Sequence, residues 1–290
     1  MDDEEFLARN FEQHRAHLRS VAYRMLGSVA EADDAVQEAW IRLSRSDADE
    51  IENLGGWLTT VVARVCLNVL RSRETRREDP LDVYVPDPIV TRDGAPSPEE
   101  QTLLADSVGL ALLVVLETLP PAERLAFVLH DMFAVPFDDI APIVGKSSEA
   151  TRQLASRGRR RVQGAPAPEQ DRARQRAVVD AFFAAARAGD FDALVAVLDP
   201  DVVLRSDGGR TRPKLTRIAR GPAAVAGGAL TGANPDATVH HVLVNGAPGV
   251  LVVRGERRHA LMAFTVAGDR IVEIDILADR ERLDLIEVGG

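Results

Sequence analysis

The sequence predicts a multidomain chain, two all-α domains followed by an α+β domain, and three observations carry that prediction. Apolar residues recur with helical period from Phe6 to Arg77, and the same period resumes from Glu99 to about Val162. Beyond Asp171 the texture changes to several β-like runs separated by Gly, Asn, Asp and Pro. A chain of 290 residues has room for two or three cores of ordinary size.

The first domain is expected over 6–78. Its apolar stripes are Leu18, Val21, Ala22, Met25 and Leu26, then Val36, Ala39, Trp40 and Leu43, then Leu58, Val61, Val62, Val65 and Val69. They describe a small helical bundle. Over 79–98 the pattern collapses into "DPLDVYVPDPIVTRDGAPSP", with no sustained period, which reads as a linker.

The second domain is expected over 99–164. A helix from Val108 to Leu119 stops before Pro120 and Pro121, and a new one starts within them. Phe137 to Val144 forms a short helix with Ile140 and Val144 at i, i+4. Gly145 ends it, and Ser147 or Ser148 can cap the next. Two short helices joined by so tight a turn are a helix-turn-helix. "QGAPAPEQ" at 163–170 is a second linker.

The third domain, 171–290, begins with helices at about 172–188 and 190–198. Strands are expected at "DVVLRSD", "ATVHHVLVNG", "GVLVVRG", "RHALMAFTVAG" and "DRIVEIDILAD", forming a curved antiparallel sheet. "NGAPG" at 245–249 and "AGDR" at 267–270 are hairpin turns.

Composition narrows the function. With 45 Asp and Glu against 35 Lys and Arg, the net charge is −10, so any contact with a polyanion must be local. A single cysteine, Cys66, excludes an intramolecular disulfide and argues against a Cys-based zinc site; no metal and no cofactor are expected. "MDDEEF" has the wrong charge for a signal peptide, and Val108 to Leu116 is too short to span a bilayer. The expectation is a soluble cytoplasmic protein that does not engage membranes.

Against that acidic background, "SSEATRQLASRGRRRV" (147–162) concentrates arginine. With Ala150 and Leu154 facing inward, Ser148, Glu149, Arg152, Gln153, Ser156 and Arg157 turn outward or sit at the helix start. These are types that hydrogen-bond to base edges or phosphates. Arg159, Arg160 and Arg161 follow. The competing reading is a solvated helix end whose arginines satisfy the C-terminal dipole. A second basic helix, "WLTTVVARVCLNVLRSRETRR" (57–77), lies downstream of an acidic amphipathic one, "EADDAVQEAWIRL" (31–43).

The order of these elements resembles the extracytoplasmic-function sigma factors of bacterial RNA polymerase. "YRMLGSVAEADDAVQEAWIRL" is similar to the family's helix that docks on the β′ clamp helices of core RNA polymerase. "GGWLTTVVARVCLNVLRSR" resembles the helix that reads and opens the −10 element, and "LPPAERLAFVLHDMFAVPFDDIAPIVGKSSEATRQLASRGRRRV" the −35-binding domain. The resemblance implies promoter-specific initiation, with core polymerase and promoter DNA as partners.

Carried over by position, Asp33, Asp34, Gln37 and Glu38 are the expected polymerase contacts. Arg64, Asn68 and Arg71, at i, i+4, i+7, are those to the −10 element, and "DADEIENLGG" (47–56) is the wall of a pocket for a flipped base. Trp40, Trp57 and Cys66 are assigned to packing. The linker, extended, reaches at most about 65–70 Å, comparable with two turns of B-DNA at about 34–36 Å each. Gly158 stands where many relatives would have alanine, and a glycine there is expected to fray the helix.

The extension resembles the SnoaL-like branch of the NTF2-like superfamily, a cone of helices and curved sheet, in the sigma subgroup that carries such a domain as a regulator in cis. That family's linker and extension motifs correspond to "VYVPDPIV" (83–90), lacking a Trp-Leu pair, and "SDGGRTRP" (206–213), lacking one glycine. The interdomain residues expected are Val85, Pro86, Asp87, Pro88, Asp207, Gly208, Gly209 and Arg210. The apolar Val83, Tyr84, Val85, Ile89 and Val90 need a partner surface, and the extension is expected to supply it.

Two rival readings remain. SnoaL-like folds include enzymes and small-molecule binders, and Asp207, His240, His241, His259 and Asp275 supply raw materials, so a pocket ligand stays open. Yet His240 and His241 are neighbours on a strand and point to opposite faces. A repressor that binds DNA without polymerase would leave the acidic helix and the second basic helix without a task.

Overall fold

The computed structural model describes residues 3–46, 51–76, 83–92, 109–164, 171–286 and 288–289. They fall into two compact units, Met1–Pro80 with Val115–Gly164, and Leu81–Val114 with Ala165–Gly290.

The helical unit opens with α1 (Asp3–Leu26), α2 (Val29–Leu43) and α3 (Leu54–Arg76). The predicted stripes form the core: Leu18, Val21, Met25, Leu26, Val36, Ala39, Leu43, Leu58 and Val62 are all buried. Trp40 packs on Phe11, ring centroids 5.1 Å apart. Cys66 is buried among them, and burial pushes its thiol up to about 12, so it is inert.

After α4 (Leu110–Glu117), α5 (Pro121–Phe127) runs into one π-helical turn, Val128–Met132. Then come α6 (Phe137–Val144) and α7 (Ser148–Gln163), joined through Gly145 at φ +73°. Only glycine takes that left-handed C-cap without strain. Ser147 caps α7, accepting from Ala150 N at 3.2 Å.

Arg124 ties α5 to α1. Its side chain is 2% exposed, and Nη1 donates to the Met25 carbonyl at 2.7 Å and to Glu117 Oε1 at 2.6 Å. A guanidinium so deep is tolerable only with such partners.

The second unit holds α8 (Arg172–Ala188) and α9 (Phe191–Val197), N-capped by Asp171 and Asp190. Its strands are β1 (Val90–Arg92), β2 (Leu198–Asp207), β3 (Arg217–Arg220), β4 (Ala237–Val244), β5 (Ala247–Arg254), β6 (Arg257–Ala267), β7 (Arg270–Leu277) and β8 (Val288–Gly289). Between the strands lie α10 (Pro222–Gly232), and after β7, α11 (Arg280–Leu285). The sheet order is β3-β2-β7-β6-β5-β4-β1-β8.

All five expected strands are present. The sheet is mixed rather than wholly antiparallel, because β2 pairs β7 in parallel, as β1 does β8. The hairpin turns fall at Asn245–Gly246, with φ +48° and +81°, and at Gly268, φ +59°. One face packs Leu204, Val250, Phe264 and Ile274 against the helices, with Val179 and Phe182 of α8. The segment expected as a linker behaves differently at its described end: Val90–Arg92 form β1, which adds to β4 with Val90 opposite Val244.

Candidate nucleic-acid interface and linker clasp

The recognition candidate α7 buries Thr151, Leu154, Ala155 and Gly158, while Ala150 is only half-buried. Glu149, Arg152 and Gln153 are exposed, as predicted. Arg152 pairs with Glu149 at 2.7 Å and lies over the Phe137 ring, 5.4 Å from its centroid. Ser148 donates to Asp138 on α6, and Ser156 is half-buried.

Arg157 is less free than expected. Its Nε donates to Glu123 Oε1 at 2.6 Å, while Arg161 reaches Oε2 of the same carboxylate at 2.9 Å. Glu123, buried on α5, escaped sequence reasoning because its partners lie more than thirty positions away. Arg159 donates to Asp131 at 2.6 Å.

The expected fraying at Gly158 does not occur, since α7 continues to Gln163. A Cβ at Gly158 would stand 2.9 Å from the Phe127 Cβ and 3.3 Å from the Glu123 carbonyl. The glycine is there so that α7 can approach α5 closely.

On α3, Arg64, Asn68 and Arg71 form one exposed face. Arg73 turns the other way, donating to the Leu26 carbonyl at 3.0 Å and pairing with Glu31. Asn53 caps the helix, its Oδ1 accepting from Gly56 N at 3.0 Å. Residues 47–50 of the expected pocket wall lie outside the described residues. Trp57 is half-buried.

On α2, Asp33, Asp34 and Gln37 are exposed and Glu38 is half-exposed. Two of the acids already have cations: Asp33 takes Arg19 in a fork at 2.6 and 3.1 Å, and Glu38 takes Arg42 at 2.9 Å. Exposed pairs of this kind hold weakly and exchange readily for another cation.

In the second unit the linker strap is clasped by one arginine that sequence reasoning missed. Arg282, on α11, donates Nε to Asp87 at 2.6 Å, Nη1 to Asp207 Oδ2 at 2.7 Å and Nη2 to the Val85 carbonyl. It also lies 4.7 Å from the Tyr84 ring centroid. Burial alone would lower its pKa, but Asp87, Tyr84 and Asp207 outweigh burial and hold it raised.

Asp207 is 3% exposed and accepts two further hydrogen bonds, from Val85 N at 3.0 Å and Gly209 N at 2.9 Å. Asn245 continues the strap by exchanging bonds with Ile89, at 3.0 and 2.8 Å. Of the expected interdomain set, Val85, Pro86 and Pro88 are buried and Asp87, Asp207 and Gly209 converge on the clasp. Gly208 faces the Arg212 carbonyl, where a Cβ would lie 2.0 Å away, and Arg210 is exposed elsewhere on the loop.

The raw materials for an enzymatic site are dispersed. Asp207 belongs to the clasp. Asp275, 2% exposed, faces Arg205 at 3.3 Å, which also takes Glu273 at 3.1 Å. Burial chiefly pushes Asp275 up to about 6, Arg205 opposing and Glu273 reinforcing. His240 and His241 are both exposed, His241 lying 3.6 Å from Asp180 on α8. His259 is held below its ordinary value by burial and then by Arg212, Arg254 and Arg280.

Among the described residues no group of three or more His, Cys, Asp or Glu could hold a metal ion, and no helix is long and apolar enough to cross a membrane.

Comparison with known families places three blocks on the chain in order. Residues 11–76 match Sigma-70 region 2, residues 109–162 match Sigma-70 region 4, and residues 179–275 match the SnoaL-like domain. The chain is 40% identical over 287 residues to the ECF RNA polymerase sigma factor SigJ of Mycobacterium tuberculosis, covering 94% of this chain and 91% of that one. It is 36% identical over 294 residues to the probable ECF RNA polymerase sigma factor SigI of the same species, covering 96% and 95%. The crystal structure of M. tuberculosis SigJ superposes with a TM-score of 0.74 at 37% identity, covering 96% of this chain and 98% of that one.

Proposed function

The chain belongs to the extracytoplasmic-function sigma factors of RNA polymerase, and from that premise we propose how its surfaces divide the work of promoter-specific initiation. The exposed face of α3, with Arg64, Asn68 and Arg71, takes the −10 element, and α7, through Arg152, Gln153 and Glu149, takes the −35 element. The acids of α2, foremost Asp34, dock on the β′ clamp helices of core polymerase, where RNA polymerase works in the cytoplasm. The SnoaL-like domain modulates initiation in cis through its hold on the strap at 83–92.

The observation that carries the reading is the pair of separate helical faces, each exposed and rich in groups that bind phosphates or base edges, matching regions 2 and 4 in order. Size adds a requirement. A compact body of this unit's length has a radius of gyration of about 14 Å, hence a diameter of about 36 Å. That is roughly one turn of B-DNA, whereas two promoter elements about two turns apart need twice as much. Promoter engagement therefore requires the α1–α5 contact around Arg124 to open.

No catalytic step is assigned to the chain, because Asp207 and Asp275 are ion-paired with arginines and His240 and His241 leave their strand on opposite faces. Run-off transcription with purified core polymerase and selected promoter DNA tests it. Initiation dependent on the chain is the expected result, and binding to DNA that blocks transcription without recruiting polymerase would favour the repressor reading.

A further inference from the structure

Between Gly208 and Pro235 the chain carries no aspartate or glutamate, yet it holds Arg210, Arg212, Lys214, Arg217 and Arg220. In a chain with 45 acidic residues that is a marked local excess of positive charge. The segment runs from the end of β2 through the short turn Pro213–Leu215 to β3, the outermost strand of the sheet, and on into α10.

Arg210, Lys214, Arg217 and Arg220 are exposed, and among the described residues none has an acidic partner. Some exposed arginines elsewhere are matched, Arg15 with Glu12, Arg42 with Glu38 and Arg174 with Asp269, whereas the arm's cations, like Arg64 and Arg71 on α3, have no acidic partner among the described residues. Arg212 anchors the arm by donating to the carbonyls of His259 at 2.7 Å and Ala278 at 3.3 Å. The Arg217 guanidinium lies against α10 at Gly228, where a Cβ would come within 2.8 Å of Nη2, so the helix offers it an uncharged floor.

Unneutralised cations gathered along one edge repel one another, and an anionic partner relieves that repulsion. An acidic peptide added as a further strand fits poorly, because a strand of four residues turns the main-chain groups of only two of them outward. Duplex DNA asks for no register, since it presents one charge per about 1.7 Å of axis. Arg217 and Arg220 lie about 10 Å apart along this edge strand and leave it on opposite faces of the sheet, so a duplex laid along the edge is met by one cation from each side.

We propose that the arm formed by the β2–β3 loop and β3 is a sequence-independent contact to the phosphodiester backbone of duplex DNA. The inference rests on the reading of the chain as a promoter-binding protein, to which it adds a third cationic surface on the SnoaL-like domain.

The test uses the full chain and a 40-bp duplex of mixed sequence, with affinity measured by fluorescence anisotropy from low to moderate NaCl. The triple variant Lys214→Gln, Arg217→Gln, Arg220→Gln is expected to lose about 2.7 from the slope of log K against log salt, at about 0.9 per phosphate contact. The charge-conserving variant Lys214→Arg, Arg217→Lys, Arg220→Lys should keep the slope, and thermal melting of both confirms the fold. Equal slopes for the wild type and a folded Gln triple would overturn the proposal. So would an unchanged slope accompanied by lost binding to poly-glutamate, which would assign the arm to a protein partner. Polymerase is absent from this titration, so failure of initiation in run-off transcription is read separately.

Discussion

Replacing Arg282 with glutamine unlatches the strap, and the cost can be worked from its contacts. The variant loses charge-assisted bonds to Asp87 and Asp207 and one bond to the Val85 carbonyl. Asp87, with a third of its side chain exposed, rehydrates cheaply, whereas Asp207 is left buried without its cation. Breaking a buried pair by removing one partner costs about 3–5 kcal/mol. Asp207 keeps the amides of Val85 and Gly209 as donors, which places the loss near the lower end, about 3 kcal/mol. At about 2–4 °C per kcal/mol for a domain of this size, the melting transition of the SnoaL-like unit should fall by about 6–12 °C. Differential scanning calorimetry reads that shift, and limited proteolysis should show faster cleavage near 83–92. The double variant Arg282→Gln, Asp207→Asn should recover part of the loss, because the uncompensated charge is gone. A melting point within a degree of wild type, with unchanged proteolysis, would show that Arg282 does not hold the strap.

Three further outcomes are expected. Asp275 is raised above the unfolded value of 3.8 to about 6, so the folded state binds its proton more tightly and this residue's contribution to stability falls as pH rises from about 4 to 6; Asp275→Asn should narrow the difference in melting temperature between pH 5 and 7.5, and an unchanged difference would count against it. Gly158→Ala gains roughly 1 kcal/mol of helix propensity, but it sets a methyl 2.9 Å from Phe127, an overpacking cost of about 1–3 kcal/mol; urea unfolding should show net destabilisation, and a more stable variant would show that α7 and α5 can move apart freely. Arg152→Ala should weaken −35 duplex binding about 5- to 150-fold, by about 1–3 kcal/mol; an equal loss on every sequence would make it a phosphate contact instead.

Much of this architecture was legible because local signals agreed with the tertiary outcome. Asp171 and Gly189 bracket α8 as cap and stop, and Asn245–Gly246 sets the β4–β5 turn through positive φ. The misses share another cause. β3 and α10 carry weak periodicity, since "RIAR" is short and "PAAVAGGALTG" is mostly small residues. The apolar linker residues predicted a partner surface, but nothing local says that Val90 to Arg92 pair with a strand about 150 positions later. Arg282 carries no local mark of its role, which depends on Asp87 and Asp207 being brought to it by the fold. Glu123 was invisible for the same reason. That Arg64, Asn68 and Arg71 share one exposed helix face was legible in their spacing, whereas the pairing of Arg157 with Glu123 was not.

Run-off transcription with core RNA polymerase, comparing wild type with Arg282→Gln on one promoter selected by the holoenzyme, is the decisive measurement. The chain is expected to confer initiation on core enzyme, and loosening the strap is expected to change the yield. A chain that never recruits core enzyme would contradict the first part; identical yields from a variant whose strap is demonstrably cleaved faster would contradict the second.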